Sequence, residues 1–269
     1  FDVMDVYLLS ALKEVGITNI NDAQTAMLDA RSIKTKEEIE LLKIAASIAD
    51  AAHYEVARHL RPGIRENEIV GIIANTLYSL GDDRIEAINV ISGPRTNPHH
   101  HDFSDRIIRP GDVVFVDIMG AYSGYLTCYY RTYVVGHATK EMKELYRTAY
   151  EWLYDAINIL RPGITTKDIA EKWPGPEVLG YQSELEVLAN QWGHGLGITL
   201  WEYPIISRAW SLEYPYPIKE GMVFALETYN GVKGGKFGVR IEEEVVITEG
   251  GHEVITKFPV EEITEVPLL

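Results

Sequence analysis

One cysteine, Cys128, in 269 residues excludes an internal disulfide. A chain without disulfides fits a reducing compartment, and the cytoplasm is the expected location. Basic residues are also scarce: 25 Lys and Arg stand against 40 Asp and Glu, for a net charge of −15. Nucleic acid is therefore excluded as an expected partner, because phosphate binding requires clustered Lys and Arg. No apolar run approaches the roughly 20 residues that cross a bilayer, so no membrane partner is expected either. The opening Phe1-Asp2-Val3 has neither the charged nor the apolar region of a signal peptide, and it lacks an initiating Met. A processed or truncated start stays open. Core-forming residues are plentiful: 46% of the chain is hydrophobic, which argues against disorder. The length accommodates one large domain, or one domain and a fragment.

Residues 1–34 read as a short helix, Val3 to Val15, followed by a connector ending at Lys34. The main domain, 35–269, starts at Thr35-Lys36-Glu37-Glu38, a capping box in which the Thr hydroxyl and the Glu carboxylate each satisfy a free backbone N–H. Ile39, Leu42, Ala45, Ala49, Ala52 and Val56 then follow helical spacing, and Pro62-Gly63 ends the helix. Leu60-Arg61-Pro62-Gly63-Ile64 recurs as Leu160-Arg161-Pro162-Gly163-Ile164, each copy between two helices. That repeat predicts a duplicated half-domain, with a ligand groove between the halves. Strands are expected at Glu86–Ser92, in a hairpin of 112–120 and 125–135, and at Met222–Tyr229, Gly238–Thr248 and Glu253–Phe258. A helix is expected over Thr139–Leu160. Helices on one side of a mainly antiparallel sheet give an α+β architecture.

Acids fall where strands should be apolar. Asp117 sits in Val113-Val114-Phe115-Val116-Asp117-Ile118-Met119, Glu227 in Met222-Val223-Phe224-Ala225-Leu226-Glu227, and Glu242 in Gly238-Val239-Arg240-Ile241-Glu242. A lone buried carboxylate costs several kcal/mol unless a cation or donors compensate. His194 stands among glycines in Gly193-His194-Gly195-Leu196-Gly197, where backbone or ligand can approach the ring closely. Two readings are open for each acid: pairing with an Arg, for which Arg131 and Arg240 are available, or metal ligation. Three strand acids and one imidazole together suit Mn, Fe, Co or Zn rather than a thiolate-type site.

In order and context, Asp117, Gly193-His194-Gly195, the Glu227 strand and Ile241-Glu242 resemble the pita-bread superfamily, which includes aminopeptidase P, prolidase, methionine aminopeptidase and creatinase. The resemblance covers about residues 31 to 260 and implies a pita-bread fold of two pseudo-symmetric helix-strand halves around a curved sheet. It also implies a homodimer, and an amino-terminal domain missing ahead of Phe1. Asp117, His194, Glu227 and Glu242 match four of the family's five ligands to a two-metal centre. The fifth ligand, a bridging Asp, is replaced by Cys128 in Thr127-Cys128-Tyr129-Tyr130-Arg131-Thr132. One divalent transition metal is therefore expected instead of two. Cys128 is either a ligand that shifts preference toward Zn or Fe, or a small buried filler.

His100, in Pro98-His99-His100-His101, matches the substrate-facing His of aminopeptidase P and the catalytic His of creatinase; a functionless exposed cluster is the alternative. Trp201 stands where peptidases of the prolidase kind carry a second His, and Glu227-Thr228-Tyr229 replaces their Glu-Pro-Gly. Glu227-Thr228-Tyr229 and the glycine-rich path through Gly234-Gly235 to Gly238 are more similar to the dimethylsulfoniopropionate lyases of this fold, so the chain stands closest in character to the family's non-peptidase members, such as those lyases and creatinase. The reading that follows is a metal-dependent hydrolase of a C–N bond in a small polar substrate. Glu227 and His100 would move protons, and Trp201 and Tyr229 would contact substrate. The alternatives are a lyase, a metal-free creatinase-like hydrolase without cofactor, and a non-catalytic binding module. The last fits poorly with buried acids.

Overall fold

In the computed structural model, residues 4–187 and 192–268 are described. A helix α1 (Val6–Glu14) is capped by Asp5, whose side chain accepts from the Leu8 N–H. Val3, the expected start of this helix, lies outside the described residues. The expected connector holds a second helix, α2 (Gln24–Ser32). Lys34 then joins the main body, its N–H donating to the Gly221 carbonyl. The capping box forms at Thr35 and opens α3 (Lys36–His59), which buries Leu42, Ala45, Ala49, Ala52 and Val56 in the core. The turn at Gly63 leads to α4 (Glu66–Leu80).

These two helices cover a sheet of β1 (Arg84–Ser92), β2 (Val113–Tyr122), β3 (Tyr125–Leu126) and β4 (Tyr129–Val135). The β2–β3 turn places Ser123 at φ 50° and Gly124 at φ 82°, the left-handed pair that a two-residue hairpin demands. The expected second arm of the hairpin is interrupted at Thr127 and Cys128. There the Cys128 N–H leaves the ladder and donates to Glu244 Oε1 at 2.8 Å.

The second half repeats the plan. A helix α5 (Lys140–Ile157) and a short α6 (Thr166–Ala170) precede β5 (Gly193–Gly195), β6 (Glu202–Ile206) and a one-turn α7 (Arg208–Ser211). Then come β7 (Val223–Asn230), β8 (Val239–Thr248) and β9 (Gly251–Val254). The last of these stops short of the strand expected to reach Phe258, because the Lys257 and Phe258 N–H groups donate to Asp50 Oδ1 instead of a neighbouring strand. A short β10 (Thr264–Val266) returns parallel to β4. The sheets run β1-β2-β4-β10 and β6-β5-β7-β8-β9. They join where β4 meets β8: the Arg240 N–H donates to Thr132 Oγ1 at 3.0 Å, and that hydroxyl donates back to the Arg240 carbonyl at 2.6 Å.

The duplication inferred from the repeated pentapeptide is present in the backbone. Gly63 and Gly163 have φ of 91° and 94°, a left-handed conformation that glycine alone adopts freely. Their N–H groups donate to the carbonyls of Ile108 and Ile218, and those residues donate in turn to Ile64 and Ile164. The strands that follow correspond, so Asp117 on β2 and Glu227 on β7 are equivalent positions of the two halves. This is the α+β pita-bread architecture expected from the residues and the resemblance.

Candidate metal centre and substrate cleft

Three strands of the first half bring Asn89, Asp117 and Tyr130 side by side, since Asn89 pairs with Asp117 on β1–β2 and Asp117 with Tyr130 on β2–β4. The second half aligns Glu227 with Glu242 on β7–β8. His194 enters from β5, whose neighbours leave no room for side chains at the flanking positions. A Cβ at Gly193 would meet Leu226 Cδ2 at 2.5 Å, and one at Gly195 the Tyr203 carbonyl at 2.4 Å. The glycines around His194 are thus needed for close strand packing, and they fix the ring over the seam.

Four of the expected ligands, with Cys128, are buried and together. Glu242 is 0% exposed, His194 Nε2 lies 3.9 Å from Glu242 Oε1, and Cys128 Sγ is 3.8 Å from Asp117 Oδ1. The Cys128, His194 and Glu242 donor atoms lie within 4.8 Å of one another. Burial pushes the Asp117 carboxyl up to about 7, with Arg240 opposing the shift. It drives Glu242 well above the carboxylate range, helped by Glu227 and Asp117, and raises the Cys128 thiol. It also holds the His194 imidazole below its usual value.

The donor set fits a divalent cation on two observations. Both carboxylate oxygens of Glu242 are buried without a hydrogen-bond partner among the described residues, an arrangement that costs several kcal/mol if left uncompensated. His194 Nδ1 lies 2.9 Å from the Gly195 carbonyl. An N–H donated there leaves Nε2 as the bare ligand nitrogen, the usual way a ligating imidazole is oriented.

Of the two readings of the strand acids, pairing with an Arg holds in part. Arg240 forms a buried ion pair with Glu227 through Nη2 and Nε, the latter at 3.0 Å. Arg131 pairs not with a candidate ligand but with Glu243, at 2.9 Å. Arg240 also donates from Nη1 to His99 Nε2 at 2.8 Å, and the His99 ring stacks on Phe115.

A cleft of about 550 Å³ opens above these groups, lined by Asp117, Cys128, His194 and Glu227 together with Trp201 and His101. Trp201 stands at its mouth, exposed to solvent, its ring 6.4 Å from that of His194 and edge-on. Glu202 holds the loop carrying it: Oε1 accepts from the Ile198 and Thr199 N–H groups, and Oε2 from Lys34 Nζ at 2.8 Å.

Two expected site residues sit elsewhere. Tyr229 is buried outside the cleft lining, its hydroxyl bonded to the Thr96 carbonyl and Asn97 Oδ1. His100 is exposed and absent from the lining, whereas His101 lines the cleft and His99 is packed behind it. The His99 and His101 rings meet edge-on, 4.3 Å between centroids, and register along the chain does not distinguish them from His100.

Asn89, Tyr130 and Glu244 were not foreseen as parts of the site. Asn89 Nδ2 donates to Asp117 Oδ2 at 3.1 Å and to the Tyr130 hydroxyl at 3.3 Å. Glu244 accepts from the Thr127 hydroxyl and the Cys128 N–H, and burial lifts its carboxyl to about 8. The available signals were Asn89 within the apolar run Ile88–Ile91 and three consecutive acids, 242–244, in one strand.

Comparison with known proteins adds an independent observation. The model of metallopeptidase family M24 matches residues 40–249. The chain is 31% identical over 240 residues to the probable dipeptidase PepE of Mycobacterium tuberculosis, covering 88% of this chain and 62% of that protein. It is 33% identical over 232 residues to the Xaa-Pro dipeptidase of Pyrococcus furiosus, covering 85% and 64%. Among solved structures, a dipeptidase from Pyrococcus horikoshii superposes with a TM-score of 0.87 at 28% identity, covering 98% of this chain and 72% of that one. The chain thus spans less than two thirds of the length of these two curated relatives. These relatives are named as dipeptidases, so the leaning toward lyase and creatinase members is not supported by them.

Proposed function

The chain belongs to metallopeptidase family M24, and from that premise we propose that it hydrolyses a C–N bond in a small peptide or peptide-like amide, using one divalent transition metal. The single observation that carries the reading is the unpartnered, fully buried Glu242 carboxylate facing the bare nitrogen of His194 at the base of a cleft. A volume near 550 Å³ suits a substrate of about dipeptide size.

His194 and Glu242 would hold the cation, with Cys128 and Asp117 within reach. Bound there, it would supply Lewis-acid polarisation of the scissile carbonyl and a more acidic water. The protein's own groups do the rest. Arg240 fixes the orientation of Glu227, which lines the cleft as a proton acceptor. His101, held below its ordinary value by burial, is a neutral imidazole able to take up a proton and return it to the leaving nitrogen. Trp201 covers one side of the substrate and limits water at the mouth. The metal-free mechanism is the weaker alternative, because it needs His100 in the cleft. A homodimer belongs to the same proposal, and sedimentation at micromolar concentration would refute it by returning the monomer mass.

Assaying a panel of dipeptides and acylated amino acids with added Mn, Co or Zn tests the reading. Metal-dependent cleavage of at least one member is expected, with Ala-Pro and Gly-Pro cleaved poorly because Trp201 replaces a second imidazole. Turnover of Ala-Pro in the common enzyme range of about 1–1000 per second would overturn the second expectation. Failure across the whole panel with every metal would overturn the first.

A further inference from the structure

We propose that Cys128 Sγ, His194 Nε2 and the Glu242 carboxylate form a three-ligand site for one borderline-soft divalent cation of the zinc type, and that Arg240 takes the place of a second cation at Glu227. The inference deepens the hydrolase reading and rests on it for the cation's role, though not for its binding.

Geometry is the first support. Ligand atoms around a tetrahedral zinc stand roughly 3–4 Å apart, given bonds of about 2.0–2.3 Å. His194 Nε2 and Glu242 Oε1, 3.9 Å apart, already meet that spacing. All three donors lie within 4.8 Å of one another, close to the spacing that such a cation requires. Three protein ligands leave the fourth position open to the cleft, as in catalytic rather than structural sites.

Charge is the second. Glu242 has neither oxygen satisfied, so it still requires a cation. Glu227 does not: Arg240 binds it through two nitrogens, and Arg240 is itself fixed by His99 and lies over the Tyr130 ring, 4.4 Å from its centroid. A second divalent ion beside Glu227 would have to approach this guanidinium, and position 128, a cysteine, supplies no carboxylate of its own to offset the repulsion.

Positioning is the third. Glu244 accepts from both the Thr127 hydroxyl and the Cys128 N–H. The break in the ladder between β3 and β4 leaves Cys128 at the edge of an apolar cluster with Sγ beside the carboxylates, 3.8 Å from Asp117 Oδ1. On binding, the thiol proton leaves to solvent and the thiolate donates its electron pair to the cation. Such a donor selects zinc, cobalt or iron over manganese and magnesium.

Cobalt(II) added to the metal-free full chain is the direct test, because a thiolate ligand produces an intense charge-transfer band in the near ultraviolet that nitrogen and oxygen ligands do not. The expected result is one equivalent bound with that band, displaced by zinc but not by a tenfold excess of manganese. Cys128→Ser should abolish the band while leaving the circular dichroism of the wild type, and Asp82→Asn, a buried substitution outside the cleft lining and the donor cluster, should retain it. Binding without the band in the wild-type chain, or two equivalents at saturation, would overturn the proposal. These readouts need no turnover: a band without peptide cleavage would leave the site standing and sink only the hydrolase reading, whereas cleavage without a band would do the reverse.

Discussion

Replacing Arg131 by Met should be among the most damaging single changes in the molecule, although Arg131 lines neither the cleft nor the donor cluster. Its guanidinium is 1% exposed and makes one ion pair, with Glu243. It also donates to three carbonyls, of Tyr130, Glu242 and Phe258, and lies 4.6 Å from the Tyr129 ring centroid. Methionine fills most of the volume but leaves Glu243 a buried carboxylate without its cation. Breaking a buried pair by removing one partner costs about 3–5 kcal/mol. Two effects bear on where in that range the value falls. The Tyr154 and Thr256 hydroxyls still donate to Glu243, which softens the loss, while three carbonyls lose a donor at about 1 kcal/mol each, which deepens it.

Urea unfolding followed by circular dichroism, with chelator present so that metal binding does not shift the midpoint, should therefore show a loss of about 3–5 kcal/mol. In melting temperature this is about 6–20 °C for a domain of this size. Arg131→Met combined with Glu243→Leu should be more stable than Arg131→Met alone, because the orphaned charge is gone. A loss under about 1 kcal/mol, or a double variant as poor as the sum of the singles, would refute the reading of Arg131 and Glu243 as a buried pair in which each charge requires the other.

Two further outcomes follow from groups away from that pair. Asp82 is buried with neither oxygen well hydrogen-bonded, and burial raises its carboxyl to about 6. A folded value above the unfolded one means that stability is lost as pH rises through that range, so Asp82→Asn should stabilise by about 1–2 kcal/mol at pH 8 and not at all below about pH 4. A gain that does not vary with pH would count against it. On any peptide substrate identified, His101→Ala should lower kcat/KM by about 100-fold or more, while His100→Ala stays near wild type, and the opposite ranking would return the proton-carrying role to His100.

The architecture was readable in the sequence because its signals are periodic or local. The capping box at Thr35, the duplicated turn at Gly63 and Gly163, and the helical spacing of α3 each depend on a few neighbouring residues, and all are present. The site acids were readable for a different reason: an acid in an apolar strand is an energetic anomaly wherever it occurs. What stayed hidden depends on partners far apart in sequence. Whether Arg131 or Arg240 would meet a candidate ligand is decided by alternation on β4 and β8, which points Glu242 and Glu243 to opposite faces, and two arginines with similar surroundings look alike until the strands are paired. The order of three adjacent histidines on a loop has no periodicity to follow, so the cleft-lining ring was displaced by one position. Helix α2, with few buried residues and no side-chain cap, carries too weak an apolar pattern to separate it from a connector.

The equivalence of Asp117 and Glu227 gives the donor cluster a mechanical meaning. Asp117 and Cys128 belong to one repeat, and His194, Glu227 and Glu242 to the other, so any ion held by donors from both sides is a rivet through the joint between them. The bite of that chelate is then set by how far β4 stands from β8. A change that splays the two halves by even an ångström alters affinity without touching a donor atom, and loading the ion resists the splaying in return. Each repeat holds half a binding site, and the smallest unit that can own the ion is the pair.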